Sequence, residues 1–357
     1  MKNRSFPRRL KSPTCADALL RSLQDAAHDE SKTLTLRGNP SARIDSIANP
    51  SDAEPGSLIF CRAMEPVRLQ ALLESTRASV IFAPGDAPLG LALGSEQALL
   101  TSADPLSSFI RAIGLFELLA PTSRAMQSVA TDAPEAHTNQ GLTAKPSSNG
   151  PTIAPSATIA PGVTIGEQSF IGSETVIGAG TMIGRHCQIG AKVTIGQHCT
   201  LEDGTVVGDG AFIQHSVVIG SVGLGYHFTA TGERLLFPHL GIVILGEQVV
   251  IGSGSVIVRG QLDDTQLGRA VRLGNLVNIG HNVKLGDDCA LSSGVVVAGG
   301  TSIGPRCNIG IGAMVNAKIQ LGSDCQVGMA SVVTKSLNDG SSVFGNPARA
   351  LPTMGHF

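Results

Sequence analysis

The chain has 357 residues, and 28 aspartates and glutamates balance its 26 lysines and arginines, so its formal net charge is −2. This balance argues against nucleic acid or an anionic membrane surface as a partner. Hydrophobic residues make up 42% of the sequence and charged residues 15%, which excludes a largely disordered protein. There are 43 glycines, no tryptophan and one tyrosine, so the core must be built from small aliphatic side chains.

The N-terminal part, residues 1–121, has no sequence repeat and is predicted to form a small α/β domain of nucleotide-binding type. Its hydrophobic patterns predict helices over 16–27 and 66–75 and strands over 33–36, 57–60 and 78–82. Residues 122–151 are rich in Ser, Thr, Ala, Asn and Pro and have no periodicity. We interpret that segment as a linker.

The cysteines and the start of the chain indicate the compartment in which the protein works. Five of the cysteines recur at one phase of a six-residue repeat without CxxC pairing, so we expect packed, reduced thiols and no metal site. The basic N-terminus is not followed by an apolar run of signal-peptide length. No stretch of about 18 apolar residues that could span a bilayer occurs in the sequence. We therefore expect a soluble cytoplasmic protein.

The six-residue repeat dominates the rest of the chain. An aliphatic residue returns at every sixth position from Ile153 to Ile219, resumes at Leu245, and runs unbroken from Leu267 to Val333. Glycine commonly follows the aliphatic residue, so each unit is predicted to be a short strand and a tight turn. Three units close one triangular coil. Residues 152–337 are therefore predicted to form a mainly β structure, a parallel β-helix of about nine coils, followed by a tail over 338–357.

Two insertions interrupt the repeat. Between Ile219 and Leu245, about 20 extra residues are predicted to leave the coils as a loop over 221–241. That loop contains the motif GLGY, with Gly225 and the single tyrosine, Tyr226. A shorter insertion, RGQLDDT over 259–265, is predicted to form a bulge. Loops expelled from a regular scaffold are natural places for binding groups.

Histidine titrates near neutral pH without special help, so the nine histidines are candidates for acid–base chemistry. His186 and His198 lie three positions after the repeating aliphatic residue, where an exposed corner is expected. His215 and His281 lie two positions after it, and His281 stands in the motif NIGHN close to the bulge. The spacing alone leaves a solvated turn histidine and a catalytic histidine both open.

The order of these motifs resembles a known family. RIDSIANPSDAEPGSLIF over 43–60, the hexads, GLGY, RGQLDDT, NIGHN and a later glycine pair follow one another as in the bacterial UDP-3-O-acylglucosamine N-acyltransferases of lipid A synthesis. These enzymes belong to the hexapeptide-repeat acyltransferases, and the resemblance covers roughly residues 15–335. It implies that the β-helix is left-handed. Flat outer faces exposed in a monomer would be covered by three-fold packing, so we expect a homotrimer with sites between chains.

The resemblance also implies site residues. His281 matches the family's general base, and Gly299 matches the residue whose backbone N–H binds the oxyanion. The two are 18 residues, one full coil, apart and should lie side by side. No metal and no bound cofactor are expected, because the acyl donor itself carries phosphopantetheine. The candidates for acceptor binding are Phe60, Gly225, Tyr226, Asp263, Asn278 and Asn282, and those for donor binding are Lys318 and Arg349.

Three positions and the C-terminal part of the chain depart from the family pattern. The second of two rings expected around the uracil is Pro66, an expected aspartate upstream of the base is Gly274, and a late histidine is Lys318. The C-terminal helices that help to dock acyl carrier protein are absent. The chain has instead VFGNPAR over 343–349, which resembles the end of acetyltransferases that use coenzyme A.

The sequence is therefore compatible with three functions. The first is an N-acyltransferase that moves an acyl group from a phosphopantetheine thioester on acyl carrier protein to the amine of a UDP-linked 2-amino sugar in lipid A biosynthesis. The second is an acetyl-CoA-dependent N-acetyltransferase of a nucleotide-linked amino sugar for surface polysaccharide. The third is a non-catalytic solenoid scaffold descended from such an enzyme.

Overall fold

The computed structural model describes residues 8–25, 34–61, 65–88, 90–116 and 150–350. The chain forms two compact units. One contains residues 1–121 and 224–240, and the other contains residues 122–223 and 241–357. All but the last two residues of the predicted linker lie outside the described residues. Within the described part of the chain, no helix is both long enough and apolar enough to cross a bilayer.

The first unit is built on a six-stranded mixed sheet with the strand order β1-β3-β4-β5-β6-β2. The four central strands are parallel, and β1 and β2 are antiparallel edge strands. The strands are β1 Arg8–Cys15, β2 Thr35–Gly38, β3 Arg43–Ile47, β4 Ser57–Phe60, β5 Val80–Pro84 and β6 Ala98–Ser102. The helices are α1 Ala16–Asp25, α2 Pro66–Ser75 and α3 Pro105–Gly114, with a short 3-10 turn at Pro50–Asp52.

Alternating side chains of the central strands give this sheet two apolar faces. On one face Ile59, Ile81 and Leu99 pack with Leu69 and Leu73 of α2. On the other face the rings of Phe60 and Phe82 pack against Phe109 of α3, with ring centroids 4.8 Å and 6.3 Å apart. Both faces are covered, as is usual for parallel strands.

The sequence predicted part of this unit. The strand over 57–60 and the helix over 66–75 match the structure. The strands predicted over 33–36 and 78–82 begin later, at Thr35 and Val80, and the first helix ends at Asp25 within the described residues. Strands β1, β3 and β6 and helix α3 were not predicted. Helix α3 has a clear start signal, because the Asp104 carboxylate accepts a hydrogen bond from the Ser107 N–H at 3.1 Å.

The predicted loop over 221–241 is more ordered than expected. It contains a two-stranded antiparallel hairpin, Tyr226–Phe228 with Arg234–Leu236. Residues 224–240 belong to the first unit and not to the coils from which they leave. The hairpin, defined as these two strands, is an integral part of the N-terminal fold.

The second unit is a parallel β-helix whose short strands stack in three sheets. The first face consists of Thr152–Ile153, Phe170–Ile171, Gln188–Ile189, Val206–Val207, Val243–Leu245, Thr265–Leu267, Lys284–Leu285, Ser302–Ile303 and Gln320–Leu321. The second consists of Thr158–Ile159, Val176–Ile177, Thr194–Ile195, Phe212–Ile213, Val250–Ile251, Arg272–Leu273, Ala290–Leu291, Asn308–Ile309 and Gln326–Val327, extended by Ser342–Phe344 and Arg349–Ala350. The third consists of Thr164–Ile165, Met182–Ile183, Thr200–Leu201, Val218–Ser221, Val256–Val258, Asn278–Ile279, Val296–Val297, Met314–Val315 and Val332–Val333.

Each repeating aliphatic residue points into the coil and is paired with its counterpart one coil away, as Ile279 is with Ile257 and Val297. These side chains form one continuous buried core. The predicted parallel β-helix is therefore confirmed. Cysteines fill places in the same core, and burial raises the pKa of the Cys187 thiol to about 11. A thiol held protonated in this way is a packing group and not a nucleophile.

Candidate functional site

The candidate site is built on three stacked corners that follow strands of the third face. These corners are His281-Asn282, Gly299-Gly300 and Ala317-Lys318, and each lies one coil of 18 residues beyond the previous one. Main-chain hydrogen bonds fix the stack. The Gly300 N–H donates to the His281 carbonyl at 2.8 Å, and the Lys318 N–H donates to the Gly299 carbonyl at 3.1 Å.

Gly299 provides the space in which the His281 ring lies. A Cβ atom at position 299 would be 2.5 Å from His281 Nε2, 2.8 Å from Cε1 and 2.9 Å from Cδ2. Any side chain larger than hydrogen would therefore collide with the ring. The two residues that the sequence paired one coil apart are in direct contact, with Nε2 turned toward Gly299.

The imidazole of His281 is oriented by its neighbour Asn282. His281 Nδ1 lies 2.8 Å from Asn282 Oδ1, and the same oxygen accepts a hydrogen bond from the Gln261 N–H at 3.0 Å. The Asn282 Nδ2 donates to the Asp263 carbonyl at 3.1 Å, so both ends of this amide are assigned by main-chain partners. Because Oδ1 is an acceptor, Nδ1 must carry the proton. This leaves Nε2 as the basic nitrogen.

The side chain of Asn282, a candidate for acceptor binding, makes these contacts within the protein. Its main-chain N–H is bonded to Thr265 Oγ1 at 2.9 Å. The residue has a φ of 60°, a left-handed corner conformation that asparagine tolerates better than most side chains. The contacts of Asn282 therefore orient the His281 ring.

The bulge holds Asn282 in turn. Buried Asp264 accepts a hydrogen bond from the Ile242 N–H at 2.9 Å, and Arg259 Nε donates to the Gly241 carbonyl at 2.7 Å. Asp263 takes part through its carbonyl, which receives the Asn282 amide. The bulge therefore contacts both Gly241–Ile242, where the chain returns to the coils, and Asn282, which orients the His281 ring.

The N–H of Gly299 differs in its setting from the same group in some other coils. In two of them an aspartate one coil on accepts the N–H: Asp203 from Arg185 at 2.7 Å and Asp287 from Arg269 at 2.8 Å. One coil beyond Gly299 the residue is Ala317, which has no such group. Among the described residues, the Gly299 N–H has no hydrogen-bond acceptor. It is an available donor beside the imidazole.

The other histidines of the coils have different surroundings. His215 occupies the same corner position as His281, but its Nδ1 accepts a hydrogen bond from the Gln197 N–H at 3.0 Å. Its basic nitrogen is therefore already occupied. His186 and His198 lie at the next corner position with φ values of 56° and 55°. His215 is therefore held within its corner, and His186 and His198 stand on left-handed corner backbone.

The remaining candidates of the second unit lie on two faces of the coils, Asn278 and Lys318 at the third face and Arg349 on the extension of the second. Asn278 is exposed on the outer surface of its strand, in the same coil as His281. Lys318 is exposed, and its Cγ would lie 3.3 Å from a Cβ built on Gly300. Arg349 is paired with Phe344 in the C-terminal hairpin, and Val332 of the third face donates to the Gly345 carbonyl at 3.0 Å. The strand of Val332 is three coils beyond that of Asn278, about 14 Å at the spacing of paired strands.

Phe60, Gly225 and Tyr226 belong to the first unit. One face of the Phe60 ring is covered by Phe109, at 4.8 Å between centroids, so at most one face can stack on a base. The Gly225 carbonyl accepts the Phe237 N–H at 2.9 Å and closes the end of the hairpin. Tyr226, the only tyrosine of the chain, is 47% exposed on the surface of the hairpin.

The sequence interpretation missed the groups that hold the base. Gln261, Thr265 and Asp264 are three of them, and Asp264 is only 4% exposed. An asparagine at a corner directly after the histidine was the one available signal. No group of three or more metal-ligating side chains is found in the described ranges.

Comparison with known families assigns the repeats. Residues 148–263 match the GMPPB C-terminal domain, residues 264–299 match the bacterial transferase hexapeptide repeats, and residues 300–335 match the hexapeptide repeat of succinyl-transferase. Adjacent repeat models therefore cover the coils that carry His281, Gly299 and Lys318.

Individual relatives match a shorter stretch. The chain is 39% identical over 85 residues to a UDP-3-O-acylglucosamine N-acyltransferase of Campylobacter curvus, which is 24% of this chain and 27% of the relative. It is 41% identical over 87 residues to the enzyme of that name from a Geobacter species, again 24% of this chain and 25% of the relative. The chain thus spans about a quarter of the length of the curated relatives it matches.

Two solved structures align over longer stretches of the chain. A UDP-N-acetylglucosamine O-acyltransferase from Moraxella catarrhalis is 27% identical, with a TM-score of 0.37, over 56% of this chain and 73% of that one. A perosamine N-acetyltransferase from Caulobacter crescentus, in complex with CoA and GDP-perosamine, is 17% identical over 83% and 96% of the two chains, with a TM-score of 0.18. Such scores lend no weight to either function. Residues 264–299 match the bacterial transferase hexapeptide repeats, and over 85–87 residues the chain is similar to proteins named UDP-3-O-acylglucosamine N-acyltransferase.

Proposed function

We propose that the protein is an N-acyltransferase that transfers an acyl group from a phosphopantetheine thioester to the amine of a UDP-linked 2-amino sugar, as in lipid A biosynthesis. One observation carries the proposal: the His281 ring, with Nδ1 bonded to Asn282, lies against Gly299, whose N–H is available. The names of the relatives support the substrate class.

In the proposed reaction the amine nitrogen attacks the thioester carbonyl. A C–N bond forms, and the carbonyl π electrons move to the oxygen. His281 Nε2 takes the proton that the nitrogen must lose, because Nδ1 already carries its own proton toward Asn282. The tetrahedral intermediate then collapses: the C–S bond breaks, and the leaving thiolate receives the proton from His281. The products are the amide and the free thiol.

The charge that develops on the carbonyl oxygen needs a donor. The Gly299 N–H lies in the corner that the His281 ring contacts, and it makes no other hydrogen bond in the described part of the chain. Removing one such donor costs about 10²- to 10³-fold in kcat in enzymes where this was measured. In this proposal Gly299 has two functions: it gives the ring space, and it binds the oxyanion.

The proposed assembly is a homotrimer formed through the third face. In its nine strands no outward side chain is charged, and Met182, Val296 and Met314 are exposed. The first and second faces carry Lys284 and Arg272 among their outward side chains. An apolar face of this kind is the part of the coil surface that subunits would cover. His281 is at the corner of that face, so each site would lie beside a neighbouring subunit.

The acyl donor would lie along the third face. Lys318 and Arg349 are the proposed contacts for its phosphates, with Arg349 in the C-terminal hairpin that extends the second face beyond Gln326–Val327. Acyl carrier protein is the proposed donor, as the resemblance of the sequence motifs implies; the names of the relatives support the acylation and do not name a donor. Its docking to two exposed cations would be electrostatic and would weaken with salt.

A test combines an acyl thioester with a UDP-linked 2-amino sugar and measures the thiol released and the amide formed by mass spectrometry. We expect one thiol for each amide, with acyl carrier donors preferred and with rates that fall at high salt. The corresponding sugar with a 2-hydroxyl group is the matched control acceptor and should give no product. If no amide forms with acyl carrier protein or with coenzyme A as the donor, the non-catalytic scaffold is the alternative that remains.

The C-terminal hairpin favours a second candidate, an acetyl-CoA-dependent N-acetyltransferase of a nucleotide-linked amino sugar. Antiparallel pairing places Phe344, which is 50% exposed, opposite Arg349, so one surface offers an aromatic ring and a cation. Adenine and the phosphates of coenzyme A need such groups. Efficient use of acetyl-CoA without use of the carrier would establish this candidate in place of the lipid A assignment.

A further inference from the structure

The hairpin of the first unit has two different faces. Its residues are paired in register, Tyr226 with Leu236, His227 with Leu235 and Phe228 with Arg234, so alternate side chains point to opposite sides. His227 and Leu235 therefore share one side. Tyr226 and Phe228 share the other side with their partners Leu236 and Arg234.

The first side is fastened to helix α3. His227 Nε2 lies 2.6 Å from the Asp104 carboxylate at the start of that helix, and Glu233 forms an ion pair with Arg111 at 2.7 Å. Burial works against ionisation of Asp104, but hydrogen bonds from Ser107 and His227 outweigh it and hold the pKa of Asp104 below its ordinary value. Two contacts separated by two helical turns fix the orientation of the hairpin.

The second side forms an exposed aromatic surface with a cation, here called the aromatic platform and defined as Tyr226, Phe228 and Arg234. The two rings are 47% and 51% exposed and meet edge to face, with centroids 5.2 Å apart. The Arg234 guanidinium lies 5.1 Å from the Tyr226 centroid and 5.4 Å from that of Phe228. Exposed aromatic pairs are costly on a surface unless something covers them.

We propose that the aromatic platform binds the nucleoside diphosphate part of the acceptor, with the base stacked on the rings and the diphosphate held by Arg234. This inference rests on the proposed function for the need of a nucleotide. Aromatic rings stack on bases of any sequence, and a guanidinium matches the charge and geometry of phosphate oxygens. An acyl chain would need the rings but would gain nothing from the cation.

The state of Phe60 supports this placement. It is the single ring that remains where two were expected, since the second position is Pro66. Its own ring is covered on one side by Phe109. That half-covered ring offers one face at most. The aromatic platform, on the same unit, would supply the second stacking surface that Pro66 cannot. The fixed orientation of the hairpin lowers the entropy cost of binding.

The chain contains its own probe for this site. It has no tryptophan, and Tyr226 is its only tyrosine, so tyrosine emission reports on the platform alone. Titration with UDP, corrected for nucleotide absorbance, should quench that emission, and GDP should do so as well because stacking tolerates both bases. Uridine should quench more weakly than UDP because it lacks the diphosphate. Inorganic pyrophosphate tests the Arg234 contact without a base.

Two variants separate the two contacts, and isothermal calorimetry provides a Kd that does not depend on fluorescence. Phe228→Leu should weaken the binding of UDP and of uridine by about fivefold or more, the smallest loss expected for one stacked base. Arg234→Gln should weaken UDP but leave uridine unchanged. Phe212→Leu, which changes an exposed ring on the second face of the coils, is the matched control and should bind UDP as the wild type does.

Activity measurements distinguish failure of this inference from failure of the proposed function. In the acyl transfer assay both platform variants should raise KM for the nucleotide sugar and keep kcat. If transfer proceeds with unchanged KM in both variants, or if calorimetry detects UDP binding without quenching, the platform is not the nucleotide site, although the enzyme assignment stands. If UDP quenches the emission and no acceptor is acylated, the site stands and the acyltransferase proposal fails. Absence of UDP and GDP binding overturns the inference.

Discussion

Gly299→Ala tests whether the contact between coils positions the base. The new Cβ would lie 2.5 Å from His281 Nε2, about 1 Å short of an ordinary contact of about 3.5 Å. The backbone itself accepts alanine, because Ala179, Ala191 and Ala317 occupy the same corner position in other coils. The ring must therefore move, although Nδ1 is held at 2.8 Å by Asn282.

A displacement of about 1 Å at a reacting group can lower the rate about 10²-fold, and we expect kcat of Gly299→Ala to fall by that factor. Strain of this kind costs about 1–3 kcal/mol of folding stability. The double variant with His281→Ala should recover that stability, because the ring that causes the overlap is gone. Urea unfolding of the two single variants and the double variant measures this coupling free energy. Additive losses of stability, or a Gly299→Ala enzyme as fast as the wild type, would refute the reasoning.

Three further predictions follow from the contacts of the two units. Asn282→Ala should lower kcat about 10-fold or more with little change in acceptor KM, since it removes the group that orients His281, and steady-state kinetics would detect it; a changed KM with constant kcat would instead indicate that Asn282 contacts the substrate. Asp104→Ala should destabilise the first unit by about 0.5–2 kcal/mol through loss of the α3 cap, whereas Asp104→Asn keeps the cap. Because the pKa of Asp104 is lowered, its contribution is present above the ordinary carboxyl pKa and is lost as the pH falls through the lowered value; acid unfolding of Asp104→Asn should lack that loss, and identical acid profiles would contradict it. Met314→Asp should dissociate the assembly in sedimentation while Thr194→Asp on the second face should not, and equal effects would exclude the third face as the interface.

The strict repeat is the reason that much of the second unit was predictable. A period of six with an inward aliphatic residue allows one arrangement of strands, so the contact of His281 with Gly299 followed from their spacing of one coil. The orientation of the His281 ring could not be predicted from the repeat. It depends on Gln261 and Asp263, which reach Asn282 only because the bulge adds residues between coils.

The first unit was harder to predict because its local patterns are weak. Strand Arg8–Cys15 has charged and polar residues over most of its length and is an edge strand, so its hydrophobic pattern is not that of a core strand. The hairpin was predicted as an irregular loop of the solenoid. Its place in the first unit depends on long-range pairs, His227 with Asp104 and Glu233 with Arg111, more than 120 residues apart. No local signal in a sequence encodes partners at that distance.

The central claim is that His281 accepts the amine proton during acyl transfer, and one comparison of rates tests it most directly. Amide formation from an acyl thioester and a UDP-linked 2-amino sugar is measured for the wild type and for His281→Ala, with His215→Ala as the matched corner control. We predict that the His281 variant is slower by about 10²-fold or more while its circular dichroism and its assembly are unchanged, and that the His215 variant keeps its rate. The loss of a general base should lower the rate by about 10²-fold or more. A His281→Ala protein that loses less than about threefold, and so retains more than a third of the wild-type rate, would contradict the account.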